Sequence, residues 1–175
     1  MNKALFVDRD GVINKEKNYL YKIDDFEFID GVFETCRKFH QDGYLIIVIT
    51  NQAGIARGLY SLGDYQKLTN WMNAKFLEHG VKISATYCCP HHPDFSGECA
   101  CRKPSPGLLK TARNDFNIDM ASSIFLGDKE SDIEAGIGAG VGKNVLVRSG
   151  HKINKISTQA NAILDSIKYL VVNNN

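Results

Sequence analysis

The chain has 175 residues, 43% of them hydrophobic, and its 21 lysines and arginines against 20 aspartates and glutamates leave a net charge of +1. That length suits a single domain, residues 1–175, burying about 70% of its unfolded surface. The near-neutral balance gives no broad electrostatic footprint for nucleic acid, and no stretch approaches the roughly 18 apolar residues of a membrane span.

The first apolar run, Ala4 to Val7, is too short for a secretory segment and meets charge at once. A cytoplasmic location is therefore expected. There the five cysteines are thiols or metal ligands rather than a disulfide framework.

That same run ends in Asp8-Arg9-Asp10-Gly11, which predicts a buried parallel strand delivering two carboxylates to its carboxyl end. Two carboxylates held this close repel unless a cation or a proton lies between them. Val12 to Ile29 is polar and aromatic without a helical period, so it reads as a loop or small hairpin beside the site. Val32, Cys36 and Phe39 fall at helical spacing and Gly43 stops that helix, with Cys36 a small core residue. Leu45 to Ile49 is a second buried strand, ending in Thr50-Asn51-Gln52. Ala53 to Gly58 connects it to a helix over 62–79, whose stripe of Tyr65, Leu68, Met72 and Phe76, with Trp71 beside it, is core packing.

A strand over 85–88 leads into Cys89-Pro90-His91-His92-Pro93 and then Cys99-Ala100-Cys101. Ser105 is the expected cap of the next helix, with Pro106 at its first position and Leu108, Leu109, Ala112 and Phe116 on its apolar face. Ile124 to Leu126 forms another strand, ending in Gly127-Asp128-Lys129-Glu130-Ser131-Asp132. A small-residue helix to Ala139, strands over 145–147 and near Ile163, and a helix over 167–172 close the domain, with Asn173 to Asn175 frayed. Strands alternating with helices predict a three-layer, doubly wound parallel α/β sheet.

Parallel strands would bring Asp8 and Asp10, Thr50 and Asn51, and Asp128 and Asp132 to one sheet edge, with Arg102 and Lys103 arriving from the cysteine loop. This set suits phosphoryl transfer through an aspartate, where a carboxylate nucleophile divides hydrolysis into two easier steps. Asp8 is the expected nucleophile. A magnesium ion on Asp8 and Asp128, with Asp10 counted among its ligands, would screen the approach of anion to anion. Lys103 supplies a point charge and Thr50 a hydrogen bond to the transferring group. Asp10 protonates the leaving alkoxide and then activates water, work contributing about 10²–10⁴-fold. Asp132 steadies Lys103 or a water on the metal.

Cys89, His91, Cys99 and Cys101 make a set of three thiolates and one imidazole that fills a tetrahedral zinc ion and leaves no open position for catalysis. Zinc is therefore expected to shape loop 89–101, which delivers Arg102 and Lys103. Cys88 and His92 are left over.

Asp8-Arg9-Asp10-Gly11, Thr50, Lys103 and Gly127-Asp128 through Asp132 resemble, in order, the signature of the haloacid dehalogenase-like phosphatases. The resemblance spans essentially the whole chain and implies that fold, without room for a large cap domain. Cys-Pro-His-His-Pro, Cys-x-Cys and Arg-Lys-Pro-x-Pro-Gly further look like the D-glycero-D-manno-heptose-1,7-bisphosphate 7-phosphatases, as do residues 26–31, 50–58 and 145–150. Histidinol-phosphate phosphatases share the zinc loop. By this resemblance substrate contacts fall on Glu16, Lys17, Asn18, Tyr19, Asn51, Gln52, Ala53, Arg102 and Lys129, besides Thr50 and Lys103. It also implies removal of the 7-phosphate in the synthesis of ADP- or GDP-heptose precursors. A second phosphate favours Arg57, Arg102 and Lys129 at the mouth, whereas the ammonium of histidinol phosphate would want Glu16. The alternatives are histidinol phosphate as substrate and a non-enzymatic phosphosugar-binding module. A small phosphosugar is the one partner expected, with no nucleic acid, no membrane and a monomeric state.

Overall fold

A computed structural model describes residues 1–153 and 157–172. Among them six strands form one parallel sheet: β1 (Lys3–Val7), β2 (Tyr44–Asn51), β3 (Ile83–Cys89), β4 (Ile124–Gly127), β5 (Lys143–Val147) and β6 (Ala162–Leu164). The helices are α1 (Val32–Gln41), α2 (Leu62–Glu78), α3 (Pro93–Ser96), α4 (Gly107–Phe116) and α5 (Glu130–Ala139). Alternate residues of β1 serve opposite cores. Leu5 and Val7 pack with residues of α1 and α2 on one face, Ala4 and Phe6 with residues of α4 and α5 on the other. Burial on both faces is why this strand reads as an unbroken apolar run.

Strand order is β3-β2-β1-β4-β5-β6. The chain thus steps outward from β1 to β3, returns across β1, and continues outward on the other side. The reversal lies between β1 and β4, the switch point at which open α/β sheets bind ligands. Val7 is in register with both Val48 and Leu126, and the Asp8 amide donates to Leu126 O at 2.9 Å. Residues following β1 and β4 therefore emerge side by side.

The Val12–Ile29 excursion is tied down by bridges of Asn14 to Asp10 and to Phe28, with a short 3-10 turn at Ile23–Asp25. Two expectations need correction, and one element was not foreseen. Ser105 does not cap α4: it closes a preceding turn, its amide donating to Arg102 O (2.8 Å), and the helix starts one residue later with Pro106 as the N-cap. The final helix shrinks to a 3-10 turn, Ile167–Tyr169, since Leu170 turns extended and buries its side chain. The cysteine loop contains the unforeseen short helix α3. The polar end expected to fray, Asn173 to Asn175, lies outside the described residues.

Candidate active site

Lys103, only 4% exposed, reaches under the carboxyl ends of β1 and β2. Its ammonium lies 3.0 Å from Asp8 Oδ1 and 2.6 Å from Asp132 Oδ1, and donates to Ile49 O at 2.9 Å. All three of its protons are thereby engaged. Burial alone would lower the Lys103 pKa, but Asp132 and Asp8 raise it above its ordinary value, so the charge is kept. Asn51 fixes the same residue from behind: its Nδ2 donates to Lys103 O and its Oδ1 accepts from Lys103 N, each at 3.1 Å.

Asp132 stands at the start of α5, where its Oδ2 accepts from the amides of Asp128 (3.1 Å) and Lys129 (3.0 Å). Gly127 makes this approach possible, since a Cβ there would stand 2.1 Å from Asp132 Cβ. Asp128 is gripped on one oxygen only: its Oδ2 accepts from the amide (3.0 Å) and from ring Nδ1 (2.5 Å) of His151. Two glycines admit it, because a Cβ at Gly11 would come within 2.4 Å of that oxygen and one at Gly150 within 2.0 Å. The Ser149 hydroxyl, donating to Gly11 O at 2.7 Å, joins the two loops.

Burial raises the Asp8 carboxyl well above the usual range; Lys103 pulls it down, while Asp132, Asp128 and Asp10 add to the rise. Asp128 is also raised, by burial first and then by Asp132. Asp8, Asp128 and Asp132 each bring a carboxylate oxygen within 4.8 Å of the others. Asp128 Oδ1 is buried without a hydrogen-bond partner. An orphaned oxygen beside a second buried carboxylate is the environment that a hard divalent cation would satisfy. Asp132 is already committed to Lys103 and the amides of Asp128 and Lys129, which leaves Asp8 and Asp128 as the pair able to hold it.

The side chain of Asp10, expected among the metal ligands, is engaged with other partners. Arg9 is 1% exposed, and a guanidinium so buried needs an anionic partner. Asp10 is that partner, accepting from Arg9 Nε (3.1 Å) and Nη2 (3.0 Å), from Asn14 Nδ2 (3.0 Å) and from Gln52 Nε2 (2.9 Å). Burial opposes ionisation of Asp10, but Arg9, Asn14 and Gln52 together hold its pKa below the ordinary value. Gln52 also donates to Thr50 Oγ1 at 2.9 Å, and its own carbonyl accepts from Tyr60 OH at 2.5 Å.

A cavity of about 430 Å³ opens over this cluster. Its lining includes Glu16, Asn18, Tyr19, Asn51, Gln52, Ala53, Arg102 and Lys129 of the residues expected to meet substrate. Glu16 also accepts from the Asn18 amide at 2.7 Å, shaping the turn that carries Asn18 and Tyr19. Lys17 is absent from the lining, and its ammonium binds Asp25 O (2.8 Å) and Glu27 (2.5 Å). Arg57 lies over the rings of Tyr19 and Phe95. The partners Arg9, Asn14, Tyr60 and His151 carry no local signal of their roles, apart from the position of Arg9 between two aspartates.

Cys89 and His91 converge with Cys99 and Cys101, 8–12 residues on in the chain, with Sγ–Sγ separations of 3.1, 3.3 and 3.6 Å and His91 Nδ1 at 3.3 Å from Cys101 Sγ. A tetrahedral zinc ion with bonds of about 2.3 Å to sulfur asks for ligand atoms roughly 3.7 Å apart. The four residues fit it with little movement, and the cluster could bind zinc. Gly107 lets α4 abut this loop, since a Cβ there would meet Ala100 O at 2.1 Å.

The family model described as polynucleotide kinase 3 phosphatase matches residues 3–168. A Photorhabdus laumondii protein named D-glycero-alpha-D-manno-heptose-1,7-bisphosphate 7-phosphatase is 50% identical over 169 residues, covering 94% of this chain and 91% of the relative. The Yersinia pestis protein named as the 7-phosphatase of the beta sugar is 45% identical over 155 residues, covering 86% and 82%. The crystal structure of D,D-heptose 1,7-bisphosphate phosphatase from B. bronchiseptica, complexed with magnesium and phosphate, superposes with a TM-score of 0.85 at 27% identity, over 95% of this chain and 94% of that one. Parallel sheet, switch point and aspartate–lysine set together define a phosphomonoester hydrolase of the haloacid dehalogenase type. The chain belongs to the polynucleotide kinase 3 phosphatase family and, at 45–50% identity, to the D-glycero-manno-heptose-1,7-bisphosphate 7-phosphatases. That membership sets aside the non-enzymatic binding module.

Proposed function

We propose that this enzyme removes the 7-phosphate of D-glycero-D-manno-heptose 1,7-bisphosphate, with Asp8 as nucleophile and magnesium as cofactor. What carries the reading is the meeting of Asp8, Lys103 and a half-unsatisfied Asp128 at the switch point, on a chain 50% identical to a relative named for that activity. Magnesium bound by Asp8 and Asp128 would neutralise charge on the transferring group. Asp8 attacks phosphorus, the bond from phosphorus to the sugar oxygen breaks, and Asp10 protonates the departing alkoxide. Water, deprotonated by Asp10, then attacks the same phosphorus, breaks its bond to Asp8 and releases inorganic phosphate.

Lys103, held by Asp132 and Ile49 O, keeps positive charge beside Asp8 throughout. Thr50 accepts from Gln52, which leaves its hydroxyl proton for a phosphoryl oxygen. The donors around Asp10 favour its ionised, base form; an arriving phosphate dianion raises its pKa and lets it carry the proton used first. The enzyme works as a cytoplasmic monomer of one domain on a small phosphosugar, supplying precursors of ADP- or GDP-heptose. Among the described residues no helix is long and apolar enough to cross a membrane.

Two measurements test this reading. Across a panel of both heptose bisphosphate anomers and histidinol phosphate, kcat/KM is expected to be highest on a heptose bisphosphate; preference for histidinol phosphate overturns the assignment. Asp10→Asn is expected to lower kcat by about 10²–10⁴-fold. With p-nitrophenyl phosphate, whose leaving group needs no acid, phosphorylated protein should accumulate in that variant, as seen by intact mass. Ordinary turnover without accumulation would remove Asp10 from acid–base work.

A further inference from the structure

We infer that His92 is a specificity-determining residue, its Nε2–H acting with Arg102 to hold the phosphate that stays on the sugar; this rests on the bisphosphate reading above. The inner end of the cavity is made of Asp8, Asp10, Lys103 and Asp132, which the reaction uses. His92 and Arg102 line the same cavity but belong neither to that group nor to the zinc set.

The ring of His92 is held in one orientation. Its Nδ1 accepts from the Asp94 amide at 3.2 Å, capping α3, and Phe95 meets the ring edge-on at 5.3 Å between centroids. The backbone is pinned as well, His92 N donating to Ser96 Oγ at 2.9 Å. The Asp94 carboxylate lies 3.8 Å from the same Nδ1, beyond hydrogen-bond reach. A ring nitrogen that accepts a backbone N–H carries no proton, so the neutral imidazole bears its proton on Nε2. His92 keeps 21% of its side chain exposed and borders the cavity. His91, one residue earlier, is part of the zinc set, and its carbonyl accepts from Arg102 Nη1 at 3.1 Å. Closure of the metal loop therefore sets both donors at once. A neutral N–H and a guanidinium lining one cavity suit a phosphate dianion, the group that distinguishes this substrate from a sugar monophosphate.

Two substitutions separate binding from capping. His92→Asn puts a carboxamide oxygen where Nδ1 was, keeping the cap, but has no atom at the position of Nε2. His92→Gln extends an amide nitrogen to that position and gives up the cap. Kinetics are measured on heptose 1,7-bisphosphate and on heptose 7-phosphate, with zinc content and thermal midpoint read in parallel. For His92→Asn the KM for the bisphosphate should rise about 10-fold or more, as expected for losing a hydrogen bond to a charged group. The change on heptose 7-phosphate should be smaller, and His92→Gln should recover part of the bisphosphate preference. Equal effects on both substrates, or no effect of His92→Asn on either while the wild type still prefers the bisphosphate, overturn the inference alone. A wild type that shows no preference for the bisphosphate overturns the substrate reading and this inference together.

Discussion

Asp8→Asn is expected to lower phosphate release by at least about 10⁴-fold, the scale on which loss of an essential nucleophile acts. The substitution keeps size and leaves a carbonyl oxygen for Lys103, but a carboxamide cannot form the acyl phosphate. The same variant should melt higher than the wild type when both are free of divalent metal. In the folded state burial, with the neighbouring aspartates, raises the pKa of Asp8 against the pull of Lys103. The folded protein then holds this proton more tightly than the unfolded chain, whose aspartates titrate near about 3.9. As pH rises above that unfolded value, ionising Asp8 subtracts stability, and the loss is complete once the raised folded pKa is passed. A neutral asparagine escapes this cost, in keeping with the conflict between an assembled active site and maximal stability. Differential scanning calorimetry at neutral pH in chelator, alongside a phosphate assay in magnesium, reads both effects. Near-normal release removes Asp8 from the nucleophile's role; a lower midpoint means that its pairing with Lys103 outweighs its burial.

Loss of the second metal should be as plain. Purified protein is expected to carry one equivalent of zinc, and Cys99→Ser or a strong chelator to remove it with a fall in thermal midpoint on the order of 10 °C. Short zinc peptides draw about 10–16 kcal/mol from such sites. A fraction of that, at about 2–4 °C per kcal/mol for a chain of this size, gives the shift. The reason lies in what else holds the loop. The short helix α3 has no buried residue, and between Cys89 and Lys103 the chain is half-buried or exposed. Without the metal, Arg102 loses the carbonyl of His91 as a fixed partner, so kcat/KM should fall along with the midpoint. Cys88→Ser is the control: Cys88 precedes the cluster without joining it and should retain the zinc. Metal analysis that finds no zinc in protein handled without chelator would remove the site.

The alternation of apolar runs with amphipathic stretches was sufficient to foresee the doubly wound sheet, because strands covered on both faces cannot afford polar side chains. Abrupt endings such as Val7-Asp8 and Gly127-Asp128 placed carboxylates at strand ends from local pattern alone. The paired cysteine motifs of residues 89–101 were legible in the same way, as was Cys36 in the core, where burial pushes its thiol up to about 12. All of these are properties of a few consecutive residues. Where a helix begins proved less so: Ser105-Pro106 has the chemistry of a helix start, yet Ser105 closes a turn onto Arg102 O and α4 starts one residue later.

Only the tertiary structure decided which carboxylate does what. Asp10 and Asp132 are equally acidic in the sequence, but Arg9 and Gln52 claim the first while Lys103 and the amides of Asp128 and Lys129 claim the second. That leaves one oxygen of Asp128, beside Asp8, without a partner. The ammonium of Lys17 likewise goes to Glu27, and His151 is invisible until it lands on Asp128, 23 residues distant. Burial and alternation are written into adjacent residues. Hydrogen-bond partners are not, because each polar group takes the best donor or acceptor that the fold brings within about 3 Å, however far away in the chain.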